Sequence, residues 1–173
     1  MKLIAKKLAD NDKYDHLSFI RNDGSSSAAL MPRQHILPHD LLHYVVETAM
    51  GFESGFLGLI AKGADVQFVM QSAHDKTNPA VEMQAIQAEA MVEALQTQLW
   101  AGAFHTEDFV YGVETACAYR NTPAPDFQRP GMQHDLQASL FQRAQQLNEQ
   151  WIQLAVSETL ELEFNIVPAA ISG

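Results

Sequence analysis

The last segment of the chain alternates apolar and polar residues, and this alternation constrains the fold more than any other feature of the sequence. Apolar residues stand at every second position: Leu160, Leu162, Phe164 and Ile166. This period of two predicts a strand with one buried face. A strand at this end of the chain needs a partner for its backbone N–H and C=O groups. The other strong strand signals lie in the first thirty residues, so the sequence predicts one antiparallel sheet built from both ends of the chain.

The N-terminal strands are separated by turn-forming residues. Asp10, Asn11 and Asp12 form the first turn signal, and Asn22, Asp23 and Gly24 form the second. The predicted strands are Lys2–Leu8, Tyr14–Arg21 and Ser25–Met31. In such a sheet Glu161 and Glu163 would face Lys2 and Lys6, which favours cross-strand ion pairs.

The middle of the chain has helical patterning. Pro38 suits the first position of a helix that runs to about Ala49 and stops at Gly51. Further helices are predicted over Glu53–Lys62, over the apolar stripe Val81–Leu99, after an N-cap at Thr106 through Tyr119, and over Leu136–Leu154. Residues 1–173 are therefore expected to form a single α+β domain, with a small antiparallel sheet packed on four to five central helices.

Charge and cysteine content exclude several classes of protein. The formal net charge is −10, and such an acidic chain is repelled by phosphates, so we expect neither a nucleic-acid partner nor membrane binding. Cys117 is the single cysteine, so no disulfide can form within the chain and a zinc site made of cysteines alone is excluded. Without an export signal or an apolar run of membrane-spanning length, the expected location is the cytoplasm.

The chemically informative stretch is a cluster of histidines at the start of the first predicted helix. Three of the seven histidines lie at positions 35, 39 and 43. His39, His43 and Glu47 are spaced i, i+4 and i+8, so they share one face of the helix. The run His39-Asp40-Leu41-Leu42-His43 is similar to the zincin pattern H-E-x-x-H, with aspartate in place of the general-base glutamate. Two imidazoles one turn apart can chelate a divalent metal such as zinc.

Helix geometry limits how such a site is completed. Residues 39 and 47 are about 12 Å apart along a helix axis, so one ion cannot be reached by all three side chains. We expect His39 with His43, or His43 with Glu47, plus ligands from another segment, while Asp40 or Glu47 serves as a base or supports a ligand. The sequence leaves the further donors open: His74, Asp75, His105, Glu107, Asp108, Glu114, His134 and Asp135.

A purely structural interpretation of the same helix is simpler. Asp40 near the N-terminus stabilises the helix dipole. The apolar residues of the helix would form its core face, with His39, His43 and Glu47 on an adjacent, partly wet face. Cys117, within Thr115–Ala118, is interpreted in the same way as a small buried apolar residue.

The stretch also resembles a family of uncharacterised bacterial proteins. In that family a helix beginning H-D-L-L-H-[FY]-[AV]-V-E precedes a stretch rich in glycine and aromatic residues, here Gly51–Gly58. The resemblance covers about residues 30–63 and the general order of β start, helices and final β segment. It implies a distinct type of domain and assigns no activity.

Two functional hypotheses follow from these patterns. The first is a divalent-metal-binding, hydrolytic protein that uses His39 and His43, with a small-molecule substrate that the sequence does not identify. The second is a non-catalytic interaction domain that forms a homodimer through its long, glutamine-rich C-terminal helix.

Overall fold

The architecture comes from a computed structural model, which describes residues 1–74, 81–127 and 136–165, and only the backbone at positions 73 and 74. The strands are β1 (Lys2–Lys6), β2 (Tyr14–Ile20), β3 (Ser26–Pro32) and β4 (Thr159–Glu163). The helices are α1 (His39–Met50), α2 (Phe56–Ala61), α3 (Val66–His74), α4 (Met83–Ala101), α5 (Thr106–Tyr119) and α6 (Leu136–Gln153).

The sheet is antiparallel and contains both ends of the described chain. Its strand order is β3-β2-β1-β4, so β1 lies between an N-terminal neighbour and the C-terminal strand. Leu3 is opposite Phe19 of β2 and Leu162 of β4. These pairings confirm the predicted α+β fold with a sheet built from both termini. Ile166, the last residue of the predicted alternation, lies outside the described residues.

The two faces of the sheet differ in polarity, as the alternation predicts. Leu3, Leu17, Phe19 and Met31 are fully buried. On the polar face, Lys2 forms an ion pair with Glu161 at 3.1 Å. The predicted pairing of lysine with glutamate is therefore confirmed at this position, whereas Lys6 is opposite Thr159.

The first helix of the chain begins and ends near the predicted residues. Pro38 is the N-cap of α1 rather than its first residue, so the helix begins one residue later than predicted, at His39. Gly51 ends the helix in the left-handed region with a φ of 64°. Glycine suits that position because it lacks the Cβ that makes a positive φ unfavourable. The prediction of Thr106 as an N-cap is wrong, because the cap is His105 and Thr106 is the first residue of α5.

The described part of the chain has six helices rather than four or five. The additional helix is α3, which was not predicted because its segment is too short to show a clear helical spacing of apolar residues. Asp65 marks its start, because its Oδ1 accepts hydrogen bonds from the backbone N–H groups of Gln67 and Phe68. This is the N-capping contact that aspartate commonly makes.

Two further sequence expectations concern α5 and α6. Cys117 is fully buried, which confirms the expected burial. Burial also raises the pKa of its thiol to about 11. The apolar face of α6 packs into the core of its own chain, and its exposed face carries glutamines such as Gln142, Gln145 and Gln150. A homodimer through α6 stays a prediction.

None of the helices in the described ranges is sufficiently long and apolar to cross a bilayer.

Candidate metal centre

Helices α1 and α4 together form a small polar cluster inside the helical layer. The i, i+4 spacing places His39 and His43 on one face of α1, and their rings lie 5.1 Å apart. Helix α4 packs against α1 and places Glu89 beside both rings. Glu89 Oε1 lies 3.1 Å from His39 Nε2, and Glu89 Oε2 lies 3.2 Å from His43 Nε2. One carboxylate therefore lies within 3.2 Å of both imidazoles.

Among the residues that the structure describes, these three side chains form the only group of three possible metal ligands that lie close together. One ligand atom from each of His39, His43 and Glu89 lies within 4.8 Å of the other two. In a tetrahedral site with bonds of about 2.1 Å, ligand atoms are about 3.4 Å apart. The two nitrogen–oxygen distances of 3.1 and 3.2 Å are close to that separation. The cluster is therefore arranged closely enough for one ion to contact all three residues.

The Nε2 atom of His39 makes no hydrogen bond within the described structure. It is buried, and although Glu89 Oε1 is only 3.1 Å away, the two groups are not aligned as donor and acceptor. A buried polar atom without a partner has a cost of about 1–3 kcal/mol. A ligand between the two residues would use the nitrogen lone pair and remove that cost.

Glu47 holds the ring of His43 from the opposite side. Its carboxylate is fully buried, and Oε1 lies 3.0 Å from His43 Nδ1. It also accepts hydrogen bonds from the backbone N–H groups of Leu57 and Gly58 at the start of α2. Because a carboxylate can only accept, His43 Nδ1 carries the proton. By the same argument Nε2 donates to Glu89 Oε2 in the metal-free protein. A metal ion that displaced this proton would meet the Nε2 lone pair of a ring that Glu47 still orients.

A glycine makes this arrangement of Glu47 sterically possible. A Cβ atom built on Gly55 would clash with both Glu47 Oε2 and its carboxyl carbon. Glycine at this position therefore allows the backbone before α2 to approach the buried carboxylate. The close approach explains one of the glycines in the Gly51–Gly58 stretch.

We expect Gly55→Ala to lower the free energy of unfolding by about 1–3 kcal/mol, because the added methyl group displaces Glu47 from a well-packed site. Chemical denaturation measures the change. Gly112→Ala is the matched control, since a Cβ there meets Ala94 at an ordinary 3.5 Å and alanine favours the interior of α5. Equal stability of the two variants would contradict the proposed contact.

Burial and charge shift the pKa values of the cluster in definite directions. Burial alone lowers the pKa of His43, but hydrogen bonds and the negative charges of Glu47 and Glu89 outweigh it and raise the pKa from 6.5 to about 10. Burial raises the pKa of Glu89, but its two histidine neighbours hold that pKa well below its usual range. Burial raises the pKa of Asp40, with His39 and His43 opposing the shift.

The charges of the cluster favour a divalent cation. Glu47 and Glu89 contribute two negative charges, and the described contacts pair them with imidazoles and backbone N–H groups. A single proton on His43 compensates one of these charges. A divalent ion with two neutral histidines compensates both, so the four side chains are electrically balanced when such an ion is bound.

Sequence reasoning found the two histidines and missed the residue that joins them. Glu89 was absent from the expected donors, and its signal is a carboxylate between Ala88 and Ala90 on a helix that is otherwise mostly buried. The expected partly wet face is wrong for His43 and Glu47, which are 3% and 0% exposed. The side chain of His39 is 21% exposed, as that interpretation expected at the edge of the core.

The other expected donors lie elsewhere. His105, Glu107, Asp108 and Glu114 are exposed at or near the N-terminal half of α5 and do not belong to the cluster. The side chain of His74 and residues Asp75, His134 and Asp135 lie outside the described residues.

Comparisons with known proteins give no further constraint: no family model, no curated protein and no solved structure matches the chain. Fold and site thus define an α+β protein with a buried cluster of two histidines and two glutamates. The function of this cluster has to be argued from its geometry and charge.

Proposed function

We propose that this protein binds one divalent metal ion, with zinc as the first candidate, through His39 Nε2, His43 Nε2 and the carboxylate of Glu89. The observation that carries the proposal is the convergence of these three groups within 4.8 Å, where His39 Nε2 is buried and has no hydrogen bond within the described structure. Imidazole is a borderline-soft ligand and carboxylate is a hard one. Together they suit zinc and neighbouring first-row metals.

Glu47 has the role of a supporting residue in this proposal. Metal-binding histidines usually donate their second N–H group to a carboxylate or carbonyl, which fixes the tautomer and the orientation of the ring. Glu47 accepts from His43 Nδ1 and is itself held by Leu57 and Gly58. With no exposed surface and its oxygens already occupied, Glu47 is better suited to orienting His43 than to transferring protons.

We further propose that the centre is hydrolytic. Two histidines and one glutamate are a ligand set of catalytic zinc sites, which keep a position open for water. The ion would supply Lewis acidity and lower the pKa of that water. Asp40 is the proposed base, because its buried carboxyl group directly follows His39 in the first turn of α1. Glu89 stays a ligand in this assignment.

Metal titration of the untagged protein tests the metal centre. After chelator treatment, we expect wild-type protein to bind one equivalent of Zn²⁺ in calorimetry. His39→Ala should bind at least about 100-fold more weakly, since removal of residues that merely support a ligand already costs 10- to 100-fold. The fold should survive this substitution because His39 Nε2 makes no hydrogen bond in the described structure.

His105→Ala is the matched histidine control, since His105 is exposed at the start of α5, and its affinity should equal that of wild type. Absence of stoichiometric binding by wild-type protein would refute the metal centre and leave His43 in a structural ion pair with Glu47 and Glu89.

For the hydrolytic part of the proposal, we expect the zinc-loaded protein to cleave p-nitrophenyl hexanoate. Equal rates for wild type and His39→Ala under zinc would contradict a catalytic role.

A further inference from the structure

An apolar cavity of about 220 Å³ opens directly onto the metal cluster. His43 and Glu89 stand at its polar end, and the other described lining residues belong to α2, α3 and α4 or are Ala64, Val81 and Glu82. The apolar wall is formed by Phe56, Leu59, Ala64, Phe68, Val69, Val81 and Ala85. The cavity therefore joins two of the three proposed ligands to an apolar chamber.

A second cavity, of about 420 Å³, lies between α4 and α5 and also reaches Glu89. Its walls include Tyr111 and Tyr119, and neither histidine of the cluster lines it. A molecule in this second cavity would approach Glu89 alone. The smaller cavity is therefore the one that reaches a histidine of the cluster, His43, as well as Glu89.

The size of the smaller cavity limits the ligand. At about 30 Å³ for a water-sized group, 220 Å³ holds about seven such groups. The polar end is selective as well, because Glu89 repels an anion. A carboxylate could therefore bind there only when the cation is present, where it would occupy a coordination position that the three protein ligands leave open.

We propose that this cavity binds a medium-chain carboxylate of about six carbon atoms, with its carboxylate on the metal ion and its chain between α2, α3 and α4. The inference rests on the proposed metal centre and adds the class of ligand. It also identifies the acyl group of a hydrolysable substrate, since a carboxylate is the product of ester or amide hydrolysis.

Chain length provides the first test, on the full-length cobalt-loaded protein. Carboxylate binding is followed through the visible absorption of Co²⁺ for acetate, butanoate, hexanoate and decanoate. Each buried CH₂ group should strengthen binding about three- to fourfold, so hexanoate should bind about 100-fold more tightly than acetate. Beyond hexanoate the gain should level off, because Phe68 and Glu82 are exposed at the cavity. Hexanol, which lacks the carboxylate, should leave the spectrum unchanged.

Matched variants provide the second test. Ala85 lies one turn before Glu89 on α4 and lines the small cavity, whereas Ala90 lines the second one. We expect Ala85→Met to retain cobalt and to lose the preference of hexanoate over acetate, whereas Ala90→Met keeps it. Loss of the preference in Ala90→Met alone would overturn the assignment of the cavity. If either variant does not fold, the chain-length series with wild-type protein decides.

The two proposals can fail separately. Cobalt binding with equal affinities for acetate and hexanoate overturns the ligand inference and leaves the metal centre intact. Failure of wild-type protein to bind cobalt or zinc overturns both.

Discussion

Glu47→Ala should lower the free energy of unfolding by about 3–5 kcal/mol, the range observed when one partner of a buried charge pair is removed. The substitution leaves His43 Nδ1 and the backbone N–H groups of Leu57 and Gly58 without their acceptor. For a chain of 173 residues, at about 2–4 °C per kcal/mol, the midpoint of thermal unfolding should fall by about 6–20 °C. Calorimetry or circular dichroism of the metal-free protein measures the change.

Glu93→Ala is the matched control for this prediction. Glu93 is an exposed glutamate one turn after Glu89 on α4, so its removal should change stability by no more than about 0.5 kcal/mol. A loss in Glu47→Ala no larger than that of the control would mean that the contacts of Glu47 do not stabilise the fold.

The metal-free protein should lose stability as the pH rises from about 6.5 to about 10. The folded-state pKa of His43 is raised to about 10, above its ordinary value of 6.5. The stabilising contribution of its proton is therefore complete below 6.5 and is lost as the pH rises through 10, because the folded protein then holds a proton that the unfolded chain has released. The expected slope in the middle of this window is about 1.4 kcal/mol per pH unit, and denaturation at several pH values up to 9.5 measures it.

The groups around His43 determine the rest of the profile. Its charged and titratable neighbours are His39, Asp40 and Glu47 on α1 and Glu89 on α4. The lowered pKa of Glu89 gives a stabilising contribution that is lost only as the pH falls below about 4.5. The raised pKa of Asp40 acts in the opposite sense in the acid range.

The control for the alkaline slope is His43→Gln, in which the titrating group is absent. Its stability should change little between pH 6.5 and 9.5, whatever its absolute value. A wild-type protein with a flat profile over this range would show that the charged form of His43 is not stabilised by Glu47 and Glu89.

Local sequence patterns were sufficient to predict most strands and helices of the fold. The alternation around Leu162, the turn at Asn22-Asp23-Gly24 and the stop at Gly51 each reflect a backbone preference that depends on a few adjacent residues. The pairing of β1 with β4 was also predictable, because a terminal strand needs a partner and few were available. Helix α3 was missed because it is short and its main signal is a single capping residue, Asp65.

In the candidate site, too, some features follow from local sequence and others only from tertiary packing. The i, i+4 spacing of His39 and His43 belongs to one helix, so the sequence by itself determined that the two rings lie together. Glu89 is 46 residues from His43 along the chain, and only the packing of α4 on α1 brings its carboxylate between them. Burial of His43 and Glu47 likewise depends on α2 covering that face, which no local pattern encodes. The sequence therefore determined the pair of histidines, while the tertiary structure decided their third partner, their charge balance and the cavity beside them, because these depend on contacts between distant segments.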